Sequence, residues 1–369
     1  MDIYQLGWNK FFEDNFTALD GHENFRPARV SRQYRNLYHV FGADGEYPAE
    51  ASGKFLFQVQ GMHDSPTVGD WVAVIYIESE KKGIIQHLLP RRSYFSRKAV
   101  LAGGPKYGDG RIERQGLAAN IDTVFLVTGL DNNFNIRRIE RYVAVAHDSG
   151  AAPVIVLNKA DLRGDLDTVI AEVEKAACGL PVLAISAAQN QALGLLRQYL
   201  RAGQTVAFLG SSGVGKSTII NRLLGEDRLK IGDVRSEDSR GRHTTTHREL
   251  ILLPDGGMVI DTPGLREIQA WGDNNDLSRT FEDIVAITAQ CRFSDCSHNG
   301  EPGCAIAAAL NDGTLDPGRY KNYLKLRREI KHLDICKNVK ERRKSEREFD
   351  KKIAQYHRQV KEMRKKGLL

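Results

Sequence analysis

Residues Gly210 to Ser217 read GSSGVGKS. This is the spacing G-x-x-x-x-G-K-[ST] of a phosphate-binding loop. In such a loop bare backbone N–H groups cradle a polyphosphate, a lysine reaches the outer phosphates and a hydroxyl ligates Mg²⁺. The flanks suit that reading. Thr205 to Leu209 (TVAFL) is a short β-leaning run and Ser217 to Gly225 (STIINRLLG) has helical spacing, so the loop joins a strand to a helix N-terminus. A glycine-rich turn that matched by chance would lack those flanks. Gly210, Ser211, Ser212, Gly213, Val214, Gly215, Lys216, Ser217 and Thr218 are the candidate phosphate-binding set. Lys216 also counts as catalytic, and Ser217 as a Mg²⁺ ligand.

Outward from the loop the pattern alternates. TVFLV (Thr123 to Val127), PVIVLNKAD (Pro153 to Asp161), PVLAISA (Pro181 to Ala187), ELILLP (Glu249 to Pro254) and MVID (Met258 to Asp261) read as strands. Ile136 to His147, Leu166 to Cys178 and Leu193 to Arg201 read as helices. The expected fold is a parallel, doubly wound α/β sheet with its ligand at the carboxyl ends of the strands.

Those strand ends carry chemistry. Asn158, Lys159 and Asp161 form N-K-x-D. A carboxylate there accepts from N1–H and the 2-amino group of guanine, which adenine does not offer in that arrangement; such a site discriminates by about 10⁴. The Lys159 stem can lie along the base, and Asn158 can tie this loop to the phosphate loop. Ser186 and Ala187 close the next strand, where a backbone N–H can meet the guanine O6. Asp261, Thr262, Pro263 and Gly264 read D-x-x-G: Asp261 holds Mg²⁺ through a water and the Gly264 N–H meets the γ-phosphate. Between them lies GRHTTTHREL (Gly241 to Leu250), a natural order–disorder switch. One of Thr244, Thr245 and Thr246 is expected to complete the Mg²⁺ shell; Thr245 is the candidate. Many GTPases orient the attacking water with a glutamine just after D-x-x-G, but that position is Leu265. Two roles stay open for His243: supplying the missing function, or contacting phosphate or RNA.

On the amino-terminal side, residues 1–27 offer Trp8, Phe11, Phe12 and Phe16 for packing on a neighbouring domain. NLYHVF (Asn36 to Phe41), KFLFQV (Lys54 to Val59), DWVAVIYIE (Asp70 to Glu78) and GIIQHLL (Gly83 to Leu89) read as strands of an OB-like barrel over 28–90. Residues 91–116 read as a linker, because their glycines argue against a continuous packed element. The sheet is expected over 117–270, a zinc-binding, mostly helical domain over 271–335 and a basic helical tail over 336–369. Cys291, Cys296, His298 and Cys304 give C-x₄-C-x-H-x₅-C. Three thiolates and an imidazole suit tetrahedral Zn²⁺ with no open position, hence a structural ion; buried cysteines beside a surface histidine are the alternative. From Arg319 onward there are 19 Lys and Arg against 7 Asp and Glu, a charge of +12, so the rest carries −6 of the overall +6. A polyanion partner fits that tail, as does a solvated helical face. The chain shows no signal-peptide pattern, and its longest apolar run, 151–157, is too short to span a bilayer. With five cysteines, three of them clustered, a cytoplasmic protein without a membrane role is expected.

Motif order is the decisive feature. An ordinary small GTPase runs phosphate loop, switch threonine, D-x-x-G, N-K-x-D. Here N-K-x-D and Ser-Ala come first, so the P-loop GTPase domain is circularly permuted, which a fold tolerates where its termini lie close together. The permuted order, the barrel before it and the cysteine cluster after it resemble the ribosome small-subunit-dependent GTPase A (RsgA) family over residues 28 to 335. The resemblance implies GTP and GDP as ligands with Mg²⁺, one structural Zn²⁺ on those four residues, and slow intrinsic hydrolysis stimulated by the small ribosomal subunit. It also implies contact with that subunit's rRNA late in maturation, by a chain expected to act as a monomer. If N-K-x-D reads guanine, Asp161→Asn should lose most of the preference for GTP over its competitors in a binding competition; an unchanged preference would rule the motif out as the reader.

Overall fold

The computed structural model describes residues 1–34, 37–59, 61–101, 111–132, 134–229, 248–261 and 274–331. Short, β-rich runs near the amino terminus close into a barrel. Its strands are β1 (Arg26–Gln33), β2 (Tyr38–Gly42), β3 (Gly45–Ala51), β4 (Trp71–Ile77) and β5 (Lys82–Leu88). They are ordered β1-β2-β3-β5-β4, with β4 returning to β1 and β3 running parallel to β5. This is a five-stranded barrel of the OB kind. Ala28, Val30, Val40, Tyr47, Ala49, Val72, Val74 and Ile85 fill it.

The amino-terminal half departs from the sequence pattern in two places. KFLFQV is not a strand: Gly53–Gln58 forms a helix (with α1 at Lys10–Thr17, this is α2). Ser52 caps it, its hydroxyl accepting from the Phe55 N–H at 3.1 Å. The strand place is taken by GEYPAEA, where Tyr47 and Ala49 alternate inward despite Pro48. The expected linker over 91–116 is instead a hairpin of β6 (Tyr94–Leu101) and β7 (Arg111–Ala119). Four of its five glycines fall between the strands, and the fifth, Gly116, sits in β7 opposite Ser96, beside a shift in the register.

Six further strands form the central sheet: β8 (Thr123–Gly129), β9 (Ala152–Asn158), β10 (Val182–Ala184), β11 (Thr205–Leu209), β12 (Arg248–Leu252) and β13 (Met258–Asp261), ordered β10-β9-β8-β11-β13-β12. Every residue of β8 is buried, as a parallel strand covered on both faces should be. The sheet is mixed, not wholly parallel: β12 runs antiparallel to β13. One face is covered by α3 (Ile136–Ser149) and α4 (Leu166–Ala177), the other by α5 (Gly194–Arg197) and α6 (Lys216–Leu224). The outer side of β12 then pairs with β1, Arg32 opposite Glu249, so barrel and central sheet are one eleven-stranded sheet. The Arg32 guanidinium grips the Glu249 carboxylate at 2.7 and 2.9 Å across that seam.

Toward the carboxyl end, α7 (Asn274–Thr280), α8 (Glu282–Thr288), α9 (Ala305–Asn311) and α10 (317–331) pack around Leu277, Phe281, Ile284, Ile306, Leu326 and Ile330. Leu326 and Ile330 fall on the buried side, as their spacing predicts. Arg319 docks this cluster on the sheet domain. It donates to Asp283 at 2.7 and 2.9 Å, to Glu140 of α3 at 2.9 Å and to the Cys178 sulphur at 3.2 Å. Among the described residues no helix is long and apolar enough to cross a membrane.

The first residues fill the corner between barrel and sheet. Trp8, Phe12 and Phe16 are buried, as expected, and the Trp8 and Trp71 rings sit 4.8 Å apart, whereas Phe11 stays partly exposed. Beneath them Arg29 is 1% exposed. Its guanidinium donates to the carbonyls of Leu6 (2.5 Å), Gly69 (3.1 Å) and Asn120 (2.9 Å), so one side chain joins the amino-terminal segment, the barrel and the approach to β8. Burial pulls its pKa down to about 10, still charged at neutral pH. Arg29→Ala leaves the buried Leu6 and Asn120 carbonyls unmet, while that of Gly69 keeps the Asn120 side-chain amide, and is expected to cost about 3 kcal/mol in urea denaturation; a loss below about 1 kcal/mol would show that the corner does not depend on it.

Candidate functional site

Parallel registry brings the motifs to one rim. Leu209 lies opposite Leu126, Gly129 opposite Asn158, Ala184 opposite Leu157 and Ala207 opposite Ile260. Gly210, Asn158, Ser186 and Asp261 therefore emerge together at the carboxyl edge of the sheet, where open α/β sheets bind ligands.

The phosphate loop runs from β11 into α6. Gly210 packs so tightly that a Cβ would lie 2.3 Å from the Val127 carbonyl oxygen. Gly215 has φ +97°, and a Cβ there would lie 2.2 Å from the Asn158 amide nitrogen. Only glycine meets both demands. Val214 is buried between them, while Ser212 and Gly213 face solvent. Lys216 opens α6 and curls over the loop, its ammonium donating to the carbonyls of Gly210 and Ser211, both at 2.7 Å. Ser217 and Thr218 follow in the first turn, and Asp261 ends β13, partly buried.

Asn158 is 2% exposed and holds three motifs together. Its amide donates to the Val214 carbonyl at 2.8 Å, and its oxygen accepts from the Ala187 N–H at 3.0 Å. The expected tie between N-K-x-D and the phosphate loop is present, and it extends to Ser-Ala. Lys159 is left-handed, φ +64°, and its ammonium meets the Asp131 carboxylate at 2.6 Å. Asp161, in the short turn Ala160–Leu162, is exposed at the rim, with a carboxylate open to a ligand. Ser186 is buried, its hydroxyl accepting from the Gln189 N–H at 3.2 Å. His243, Thr244, Thr245, Thr246, Gly264 and Leu265 lie outside the described residues.

A second centre forms in the helical cluster. The ligand atoms of Cys291, Cys296, His298 and Cys304 all lie within 4.8 Å of one another. The His298 Nδ1 is 3.5 Å from the Cys291 sulphur and 3.7 Å from that of Cys304. Tetrahedral bonds of about 2.3 Å to sulphur and about 2.0 Å to nitrogen imply sulphur–nitrogen separations near 3.5 Å, so the set fits Zn²⁺. Desolvation, then the neighbouring thiols, push the Cys296 thiol up to about 11; at Cys291 desolvation also raises, but the amides of Ala305 and Ile306 with the Cys296 and Cys304 thiols together pull the thiol down. Three thiols this close do not all ionise without a cation between them. The loop itself is stitched by Glu301, which accepts from the N–H groups of Ser297 (3.0 Å) and Asn299 (2.7 Å) and from the Ser297 hydroxyl. These bonds, the hydroxyl's first, hold the Glu301 carboxyl at about 2. Nothing in the spacing of Glu301 or Asp131 marks either residue in the sequence.

The family model described as RsgA GTPase matches residues 88–271. The small ribosomal subunit biogenesis GTPase RsgA of Opitutus terrae is 49% identical over 338 residues, covering 89% of this chain and 90% of the relative. Its namesake from Syntrophotalea carbinolica is 44% identical over 337 residues, covering 89% and 90%. Among solved structures, YjeQ from Thermotoga maritima superposes with a TM-score of 0.60 at 27% identity, over 83% of this chain and 98% of that one. YloQ, described as a circularly permuted GTPase, has a TM-score of 0.59 at 23% identity, over 84% and 96%, and supports the permuted fold alone.

The four-ligand set should take up one Zn²⁺ per chain, with Cys304→Ser losing most of that affinity and lowering the melting temperature of the helical cluster. Zinc held equally well by the variant, on elemental analysis after gel filtration, would overturn the assignment.

Proposed function

The chain belongs to the RsgA GTPase family, and on that premise we propose that it hydrolyses GTP to GDP and phosphate on contact with the small ribosomal subunit late in that particle's maturation. The observation that carries the nucleotide reading is the Asn158 amide, which locks N-K-x-D, Ser-Ala and the phosphate loop into one pocket. Asp161 reads the guanine edge, the Lys159 stem lies along the base and the Ala187 region meets O6. The loop amides and Lys216 take the phosphates. Ser217, Thr245 and, through a water, Asp261 would hold Mg²⁺, which would neutralise charge on the phosphate oxygens. Water adds to the γ-phosphorus, the bond from that phosphorus to the bridging oxygen breaks, GDP leaves with the electron pair, and the proton shed by the water ends on the released phosphate or in solvent. With Leu265 unable to orient the water, His243 is the proposed residue, brought into place by the docked partner.

The name of the relatives supplies the partner. The barrel, the zinc-bound helical cluster and the basic tail are proposed to contact rRNA, in a monomer acting in the cytoplasm. GTP favours the docked state and GDP its release. Leu265 favours a second reading, a GTP-gated RNA-binding module whose hydrolysis is incidental. Turnover separates the two: purified small subunits, but not large subunits or bare RNA, should raise GTP hydrolysis about 10³-fold or more, the range of partner-completed sites. His243→Ala should abolish that stimulation and leave GTP affinity in place. Stimulation surviving in the variant would remove His243, and no stimulation of the parent chain would leave the gated module.

A further inference from the structure

Helix α3 has an unusual first turn. Asn135 caps it, accepting from the Arg138 N–H at 3.2 Å, and the next residues include Arg137 and Arg138 with no acidic residue among them. Two cations at a helix N-terminus oppose the macrodipole, by about 0.3–1 kcal/mol each. A local rule broken in this way is offset elsewhere. For Arg137 the offset is plain: it pairs with Glu140 at 2.7 Å and with Asp316 of the helical cluster.

Arg138 points elsewhere. One residue on is about 100° around the helix, and its guanidinium reaches the phosphate loop, Nη1 donating to the Ser211 hydroxyl at 3.2 Å. Ser211 also offers the carbonyl on which Lys216 rests. The opposite flank of α3 is held by the helical cluster. Glu140, 1% exposed, accepts from Arg319 at 2.9 Å and from Asn322 at 2.7 Å, and Arg141 pairs with Glu329 at 3.0 Å. One helix thus touches the nucleotide loop with one arginine and the carboxyl-terminal helices with the residues on either side of it.

We propose that Arg138 is a positioning residue for GTP hydrolysis: it holds the rim of the phosphate loop through Ser211, and the docked helical cluster holds α3, and so Arg138, in place. This rests on the GTP reading of the site but not on the ribosome. The test is made without ribosomal particles, so a failure of subunit stimulation leaves it untouched.

The experiment is single-turnover GTP hydrolysis by the full chain with Mg²⁺, alongside GDP affinity and melting temperature, for Arg138→Ala, Ser211→Ala, the double variant, Arg138→Lys and Glu329→Gln. Misplacing a reacting group by a fraction of an ångström costs about tenfold or more. Arg138→Ala should therefore slow the chemical step about tenfold, with KM and GDP affinity within about threefold. Ser211→Ala should slow it too, and the double variant should be no slower than Arg138→Ala. Lysine, which can still donate, should recover most of the rate and shows that the loss is not misfolding. Glu329→Gln, remote from the nucleotide, should slow the step about threefold in the parent and add nothing to Arg138→Ala. An unchanged rate in Arg138→Ala overturns the proposal. So do losses that multiply in the double variant, or a GDP affinity that falls as far as the rate. A Glu329→Gln chain with parental rate overturns the part assigned to the helical cluster.

Discussion

A single buried amide sets the geometry on which the site depends. Asn158 spans the ends of β9, β10 and β11, its amide N–H donating a hydrogen bond to the Val214 carbonyl and its oxygen accepting one from the Ala187 N–H. Both bonds lie inside the protein, where an unmet partner costs about 1–3 kcal/mol, so the three loops move as a unit or not at all. Gly215 shows how little slack remains, since even a methyl group would strike the amide. The bond is indifferent to chain order. The strands can be visited in the order β8, β9, β10, β11, β12, β13 and still meet at the same rim, which is why permutation leaves the chemistry in place.

What permutation changes is attachment. The undescribed switch segment 230–247 feeds β12, whose first residues pair with β1 of the barrel, and the segment 262–273 that follows β13 feeds α7. The barrel and the helical cluster are thus each one strand or one helix away from the parts of the chain expected to sense the γ-phosphate. Arg319 and the Arg32–Glu249 pair make both attachments firm. Arg319 is no surface ion pair of small worth: it is 6% exposed and works through several partners at once, whereas the partly exposed Arg32–Glu249 pair adds to a strand pairing.

Much of the site was legible because its demands are local. The phosphate loop, N-K-x-D, the start of D-x-x-G and the cysteine cluster each occupy a few consecutive residues whose types the chemistry dictates. The central strands were legible too, as runs of Val, Ile and Leu between glycine and polar turns. The barrel was less so. β1, RPARVSRQ, carries three arginines and a proline, and its strand character comes from neighbours it meets on both sides. KFLFQV has the composition of a strand, and one hydroxyl cap with the prior claim of β3 decided otherwise. The buried charges were not legible at all. Arg29, Glu140 and Arg319 look like surface residues until partners distant in sequence surround them.

The seam between β1 and β12 also has a consequence in time. Residue 32 meets residue 249, so the barrel can close on its own, β4 against β1, long before its outer neighbour has been made. At about 5–20 residues per second, synthesis leaves the β1 edge waiting on the order of ten seconds or more. An open strand edge is a site for wrong pairing, but here β4 already covers Arg26 to Arg29, so the waiting edge is only the short end at Arg32 and Gln33. A very short edge that carries a charge discourages a second chain from adding to it. Arg32, one of the residues that hid β1 from sequence reading, guards that end until its partner Glu249 arrives.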